Sequence, residues 1–144
     1  MAIEQSCNVY FAQVGVSIGK DGFDWLRRLL RFDQGLTLYR GSMEQLQSAK
    51  SRFPELNPND SFSMALMGIG QGKLLVTPLH MAMVAACVAN QGMLMQPRLT
   101  FDQPMEELGR AMSPRTSGHM QNMMARVVTD GTARKAFEGF NMSV

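Results

Sequence analysis

A mainly helical fold with little or no sheet is what these residues predict. Three observations carry the expectation. Apolar residues recur at i, i+3, i+4 and i+7 along several segments. The pairs Thr77-Pro78 and Ser113-Pro114 have the chemistry of helix starts. Glycines at 19, 92 and 131 stop the patterns they follow.

In chain order, Asn8 to about Ile18 reads as a first helix, with Val9, Ala12 and Val16 near helical spacing. Gly19-Lys20-Asp21-Gly22 ends it. Phe23 to Phe32 reads as a second. Its apolar stripe is Trp25, Leu26, Leu29, Leu30 and Phe32, and Arg27, Arg28 and Arg31 form its wet face. Residues 34–60 carry the least pattern and read as a variable connecting region. Within it Ser42-Met43-Glu44-Gln45 fits a capping box, so a short helix from Met43 to about Arg52 is expected. Phe53-Pro54 and Asn57-Pro58-Asn59-Asp60 read as turns.

Ser61 to Val76 holds Gly68, Gly70 and Gly72. Three glycines in five residues weaken any regular element, so a tight loop is expected, or a backbone that another segment approaches closely. Thr77 and Pro78 then start a helix from Leu79 to Ala89. It is apolar nearly all round, as in a helix buried on most sides. Asn90-Gln91-Gly92 stops it, and Met93 to Thr100 reads as a short extended piece. Ser113-Pro114 opens the next helix, on which Met120, Met123, Met124, Val127 and Val128 follow the helical pattern. Thr132 to Phe137 adds a turn, and Phe140 to Val144 reads as the start of a strand.

The chain has 144 residues, 45% hydrophobic and 18% charged, which suits one globular domain and not a disordered chain. Its net charge of +2, from 14 basic and 12 acidic residues, and the lack of a basic stripe with aromatics argue against nucleic acid as a partner. Met is frequent, at 14 residues. Met fills irregular cores and also lines adaptable binding surfaces; helical patterning alone accounts for the placement here, which favours the core. Cys7 and Cys87 are read as two free thiols, since no Cys-x-x-Cys pair and no zinc spacing exist. No signal peptide opens the chain. Leu74 to Pro97 lacks formal charge, but polar residues interrupt it too often for a membrane span.

Gly68-Ile69-Gly70-Gln71-Gly72 is not a phosphate loop. Gly72-Lys73 is followed by Leu74, and the dinucleotide spacing is not met, so no nucleotide cofactor is expected. His80 and His119 have no carboxylate or motif beside them and read as structural. Ser6-Cys7-Asn8 has usable chemistry. In an extended or turn segment, residues two apart point the same way. Ser6 would offer a hydroxyl that relays a proton, and Asn8 an amide that holds a carbonyl and an amine together. The plain alternative is that Ser6 or Asn8 caps the helix that follows.

In order, the chain presents Ser6-Cys7-Asn8-Val9-Tyr10-Phe11-Ala12, then Gly68-Ile69-Gly70-Gln71-Gly72 leading to Thr77-Pro78-Leu79, then Ala89-Asn90-Gln91-Gly92 with Pro97-Arg98-Leu99, then Val127-Val128-Thr129-Asp130-Gly131-Thr132. This series resembles the transpeptidase domain of penicillin-binding proteins, over nearly the whole chain and most weakly over 34–60. The resemblance implies that residues 1–144 are part of such a domain. They would form the helical subdomain of the penicillin-binding and serine β-lactamase-like fold.

The resemblance also implies a serine acyltransferase that cross-links peptidoglycan stem peptides and binds β-lactams, with no cofactor and no metal. The parent would be membrane-anchored, with this domain outside the cytoplasmic membrane. By analogy Ser6 is the proton relay and Asn8 holds the substrate amide. The family's other motifs are Ser-x-x-Lys, which supplies the nucleophile, and Lys-Thr-Gly. Neither is present in place: Ser17 precedes Lys20 at the right spacing but lies after Ser6, and no Lys-Thr-Gly occurs. The segment alone is therefore expected to be inactive and, with apolar surface exposed, to self-associate. Two other readings stay open: a non-catalytic helical module that binds a protein partner, and a β-lactam sensor or β-lactamase relative.

Overall fold

The computed structural model describes residues 2–139. The strand expected over 140–144 lies outside them. Five helices and two small antiparallel hairpins are described, so the mainly helical expectation holds.

The two helices expected before Phe32 are both present and run on from one another as α1 (Asn8–Leu29), with a kink between them. Gly19 at φ 62° and ψ −177° is the non-helical joint. The expected break is thus narrower than Gly19 to Gly22. The second half buries Phe23, while Trp25 is more than half exposed and is no part of the stripe facing the core. Arg27 pairs with Asp33, and the Arg31 guanidinium donates to the Leu108 carbonyl (2.7 Å).

Residues 43–52 do not form a helix. The hairpin β1 (Thr37–Arg40) and β2 (Gln45–Gln47) occupies this region, in register Thr37↔Gln47 and Arg40↔Gln45. The residues of the supposed capping box make its turn, with the Gly41 amide donating to the Glu44 carbonyl (2.8 Å). A capping box helps a helix only where an apolar stripe follows it.

The glycine cluster is half helix and half loop. Helix α2 (Ser61–Gly68) is capped by Asp60, whose Oδ1 accepts from the Ser63 amide (3.0 Å). A second bond, from the Ser63 hydroxyl (2.6 Å), is the main cause that holds the Asp60 carboxyl below its ordinary range. Gly68 is the close-approach glycine: a Cβ there would lie 2.3 Å from the Phe11 carbonyl oxygen on α1. Gly70 and Gly72, at φ 71° and 84°, turn the chain out of the helix.

Thr77 and Pro78 start α3 (Pro78–Ala89) as expected, with the Thr77 hydroxyl accepting from the His80 amide. The helix is not buried on most sides. Met83, Cys87 and Val88 face the core, while Met81 is about half exposed. Only one face is packed, against β3 (Met93–Met95) and α4 (Pro114–Thr129). β3 pairs with β4 (Glu107–Arg110) in register Met93↔Arg110. α4 starts at the Ser113 cap and meets α3 through Ser117, fully buried, whose hydroxyl donates to the Val88 carbonyl (2.6 Å). The short α5 (Arg134–Phe137) follows.

The core has two parts. Phe23, Phe32, Phe53, Leu56, Met64 and Met67 fill the first, and Leu36, Met83, Cys87 and Leu94 the second. Met64, Met67 and Met83 are therefore core methionines, whereas Met123 and Met124 on α4 stay substantially exposed. Both cysteines are free, and burial pushes the Cys87 thiol above its ordinary pKa. His80 is structural, buried at 2% exposure with Nε2 on the Leu30 carbonyl.

Candidate functional site

Residues 2–7 wind as turns into the N-terminus of α1. The Cys7 amide donates to the Ala2 carbonyl (2.9 Å) and the Ser6 amide to that of Ile3 (3.2 Å). Cys7 occupies the helix N-cap, with no side-chain capping bond. Neither Ser6 nor Asn8 caps the helix, so the plain structural role for them is not used. Ser6 and Asn8 are exposed, as are Gln5, Val9 and Tyr10 around them, and Cys7 is half-buried.

Ser6 sits at φ 48°, in the left-handed region. Such a conformation is costly for a residue with a Cβ and persists where the surroundings impose it, often at functional sites. Asn8 makes no side-chain hydrogen bond among the described residues, so its carbonyl and amine are open to solvent or a ligand.

The surroundings that impose the turn come from the far end of the chain. The Thr132 amide donates to the Glu4 carbonyl (3.1 Å). Gly131 lies against the same carbonyl, where a Cβ would stand 2.3 Å from its oxygen. Glu4 is buried, and its Oε2 lies 3.6 Å from Nε of Arg126 on α4. The hydroxyls of Ser6 and Thr132 meet at 3.3 Å. The sequence motif names Ser6 and Asn8 but not Thr132, which is 126 positions away from Ser6. The available signal was its place at the end of the Val127-to-Thr132 stretch.

A cavity of about 600 Å³ lies elsewhere, lined by Lys20, Asp24, Arg27, Asp33 and Glu55 among others. Lys20 pairs with Asp24 and Arg27 with Asp33, so its charges balance one another, and neither Ser6 nor Asn8 lines it. The Ser6-Asn8 turn is the better candidate on chemical grounds. No helix among the described residues is long and apolar enough to cross a membrane.

Fold and turn together define a mainly helical subdomain that presents Ser-x-Asn at the head of α1. The penicillin-binding protein transpeptidase domain matches residues 1–144, and the chain belongs to that family. The peptidoglycan D,D-transpeptidase PbpA of Mycobacterium tuberculosis is 28% identical over 134 residues, covering 85% of this chain and 26% of that protein. The crystal structure of PBPA from the same organism superimposes with a TM-score of 0.75 at 27% identity, covering 96% of this chain and 34% of that one. An imipenem acyl-enzyme complex of that protein matches equally well (TM-score 0.75, 27% identity, 96% of this chain and 33% of that one). The D,D-transpeptidase domain of a peptidoglycan glycosyltransferase from Eggerthella lenta gives 0.74 at 25% identity, over 94% of this chain and 37% of that one. The chain thus spans about a quarter of the curated relative's length.

Proposed function

We propose that these residues are the Ser-x-Asn-bearing helical subdomain of a peptidoglycan D,D-transpeptidase that cross-links stem peptides through an acyl-serine and is acylated by β-lactams. The observation that carries the reading is the Ser6-Cys7-Asn8 turn, with Ser6 and Asn8 exposed and bound to no helix cap at the head of α1. The PbpA acyl-enzyme complexes support extending β-lactam binding to this chain. Ser6 passes a proton to or from the leaving amine, a role an exposed hydroxyl can fill. Asn8 holds the amide of the substrate or β-lactam side chain, accepting with its carbonyl and donating with its amine.

The nucleophile of the acyl transfer belongs to a Ser-x-x-Lys motif, and Lys-Thr-Gly completes the site. The 144 residues supply neither in the required order, so the segment expressed alone forms no acyl-enzyme. The catalytic unit works outside the cytoplasmic membrane, as its relatives' cell-wall chemistry requires. The test is fluorescent-penicillin labelling of the full-length protein. Ser6→Ala should slow acylation by on the order of 100-fold, the usual worth of a proton-transfer group. Labelling of that variant at the wild-type rate would remove Ser6 from the mechanism.

The isolated segment self-associates. Val9 is 70% and Phe62 74% exposed, and Tyr10, Met81, Met123 and Met124 add apolar surface on four helices. Apolar side chains exposed in this way favour association where they join into a contiguous patch. Light scattering should give a mass above 16.0 kDa. A monodisperse monomer at micromolar concentration would contradict it.

A further inference from the structure

We infer that Thr132 is a positioning residue for the Ser6 hydroxyl: the turn that follows α4 holds the Ser-x-Asn turn and orients the relay serine. The inference rests on the proton-relay reading of Ser6 and assigns it a partner. Three contacts converge on the turn. The Thr132 amide bonds the Glu4 carbonyl, Gly131 packs on the same oxygen without room for a Cβ, and Arg126 faces the buried Glu4 carboxylate. Together they fix the backbone two residues before Ser6.

The fourth contact reaches the chemistry. The Thr132 Oγ1 lies 3.3 Å from the Ser6 Oγ, longer than the usual hydroxyl pair. Bonds of this kind in unliganded sites commonly tighten when substrate arrives. A serine relaying a proton must offer a lone pair on one side and its own proton on the other. The Thr132 hydroxyl can accept from Ser6 or donate to it, so it can restrict the Ser6 rotor to the arrangement in which the relay is aligned. Ser6 itself is strained at φ 48°, consistent with a turn shaped from outside and not by local preference. Thr132 is exposed, so removing its hydroxyl does not open a hole in a core.

The experiment measures β-lactam acylation rates and melting temperatures of the full-length protein for Thr132→Val, Thr132→Ser, Ser6→Ala and the Ser6→Ala/Thr132→Val double variant. Thr132→Val should acylate about tenfold more slowly, the cost of misorienting a relay rather than deleting it, at an unchanged melting temperature. Thr132→Ser should recover most of the rate. The double variant should be no slower than Ser6→Ala alone, because the two residues act as one unit. Wild-type acylation by Thr132→Val, beside a slow Ser6→Ala, would overturn the positioning role while leaving the relay intact. Equal slowing by Thr132→Val and Thr132→Ser, or additive losses in the double variant, would overturn it too. A wild-type rate for Ser6→Ala would overturn both readings.

Discussion

Gly68→Ala is expected to lower stability by about 1–3 kcal/mol, the range for overpacking a filled contact, with a fall in melting temperature on the order of 3–10 °C. The reason is a reciprocal crossing. A Cβ on Gly68 would stand 2.3 Å from the Phe11 carbonyl oxygen and 3.0 Å from the Gly15 Cα. A Cβ on Gly15 would stand 2.4 Å from the Met64 carbonyl oxygen and 2.9 Å from the Gly68 Cα. Both obstacles are backbone, so no rotamer change relieves them. α1 and α2 would have to separate, which would loosen Phe23, Met64 and Met67 in the core between them. Since α1 begins at Asn8, the same displacement would carry the Ser-x-Asn turn away from Thr132. Gly118→Ala is the control, with open space at that position inside α4 and a helix-propensity gain expected. Melting of Gly68→Ala within a degree of wild type would mean that the two helices do not cross this closely.

What the sequence makes legible is what local chemistry decides. Thr77-Pro78 and Ser113-Pro114 can be read because a cap bonds within three residues of itself, and both bonds are present. The kink at Gly19 is legible because only that residue type takes φ 62° without strain. The Ser6-Asn8 turn is legible as a motif. Thr132 is legible only as the end of the Val127-to-Thr132 stretch; its meeting with Ser6 is not, because the two lie 126 positions apart. The hairpin over residues 37–47 was hidden for a related reason. Ser42 to Gln45 suits a turn or a cap equally, and pairing with Thr37 to Arg40 decides between them. The exposed side of α3 shows the limit of pattern: an apolar helix can be read, but which of its faces meets α4 and β3 is settled by packing.

His80→Ala should cost about 3 kcal/mol and leave acylation of the folded protein unchanged. A buried histidine invites a catalytic reading, and the surroundings of His80 argue against one. His80 is buried, and Nε2 lies 2.7 Å from the Leu30 carbonyl. A carbonyl oxygen can only accept, so Nε2 carries the proton and donates it there. The ring leans on Phe32 with centroids 4.4 Å apart. Its own amide closes the Thr77 cap, and the Thr77 amide in turn bonds the Ser51 hydroxyl (3.0 Å). The Ser51 carbonyl accepts from Asp33 (2.9 Å). The imidazole therefore ties the end of α1 to the start of α3, through a core that also contains Phe53. Alanine would leave a cavity and strip the Leu30 carbonyl of this donor, and the two losses add to the stated cost. His80→Gln keeps a donor and should lose less. Urea unfolding gives the stability, and penicillin labelling below the transition gives the rate. A general base would show the reverse pattern, a lost rate with stability kept. His80 bonds to none of Ser6, Asn8 or Thr132, so the stability loss without a rate loss is the outcome the packing requires.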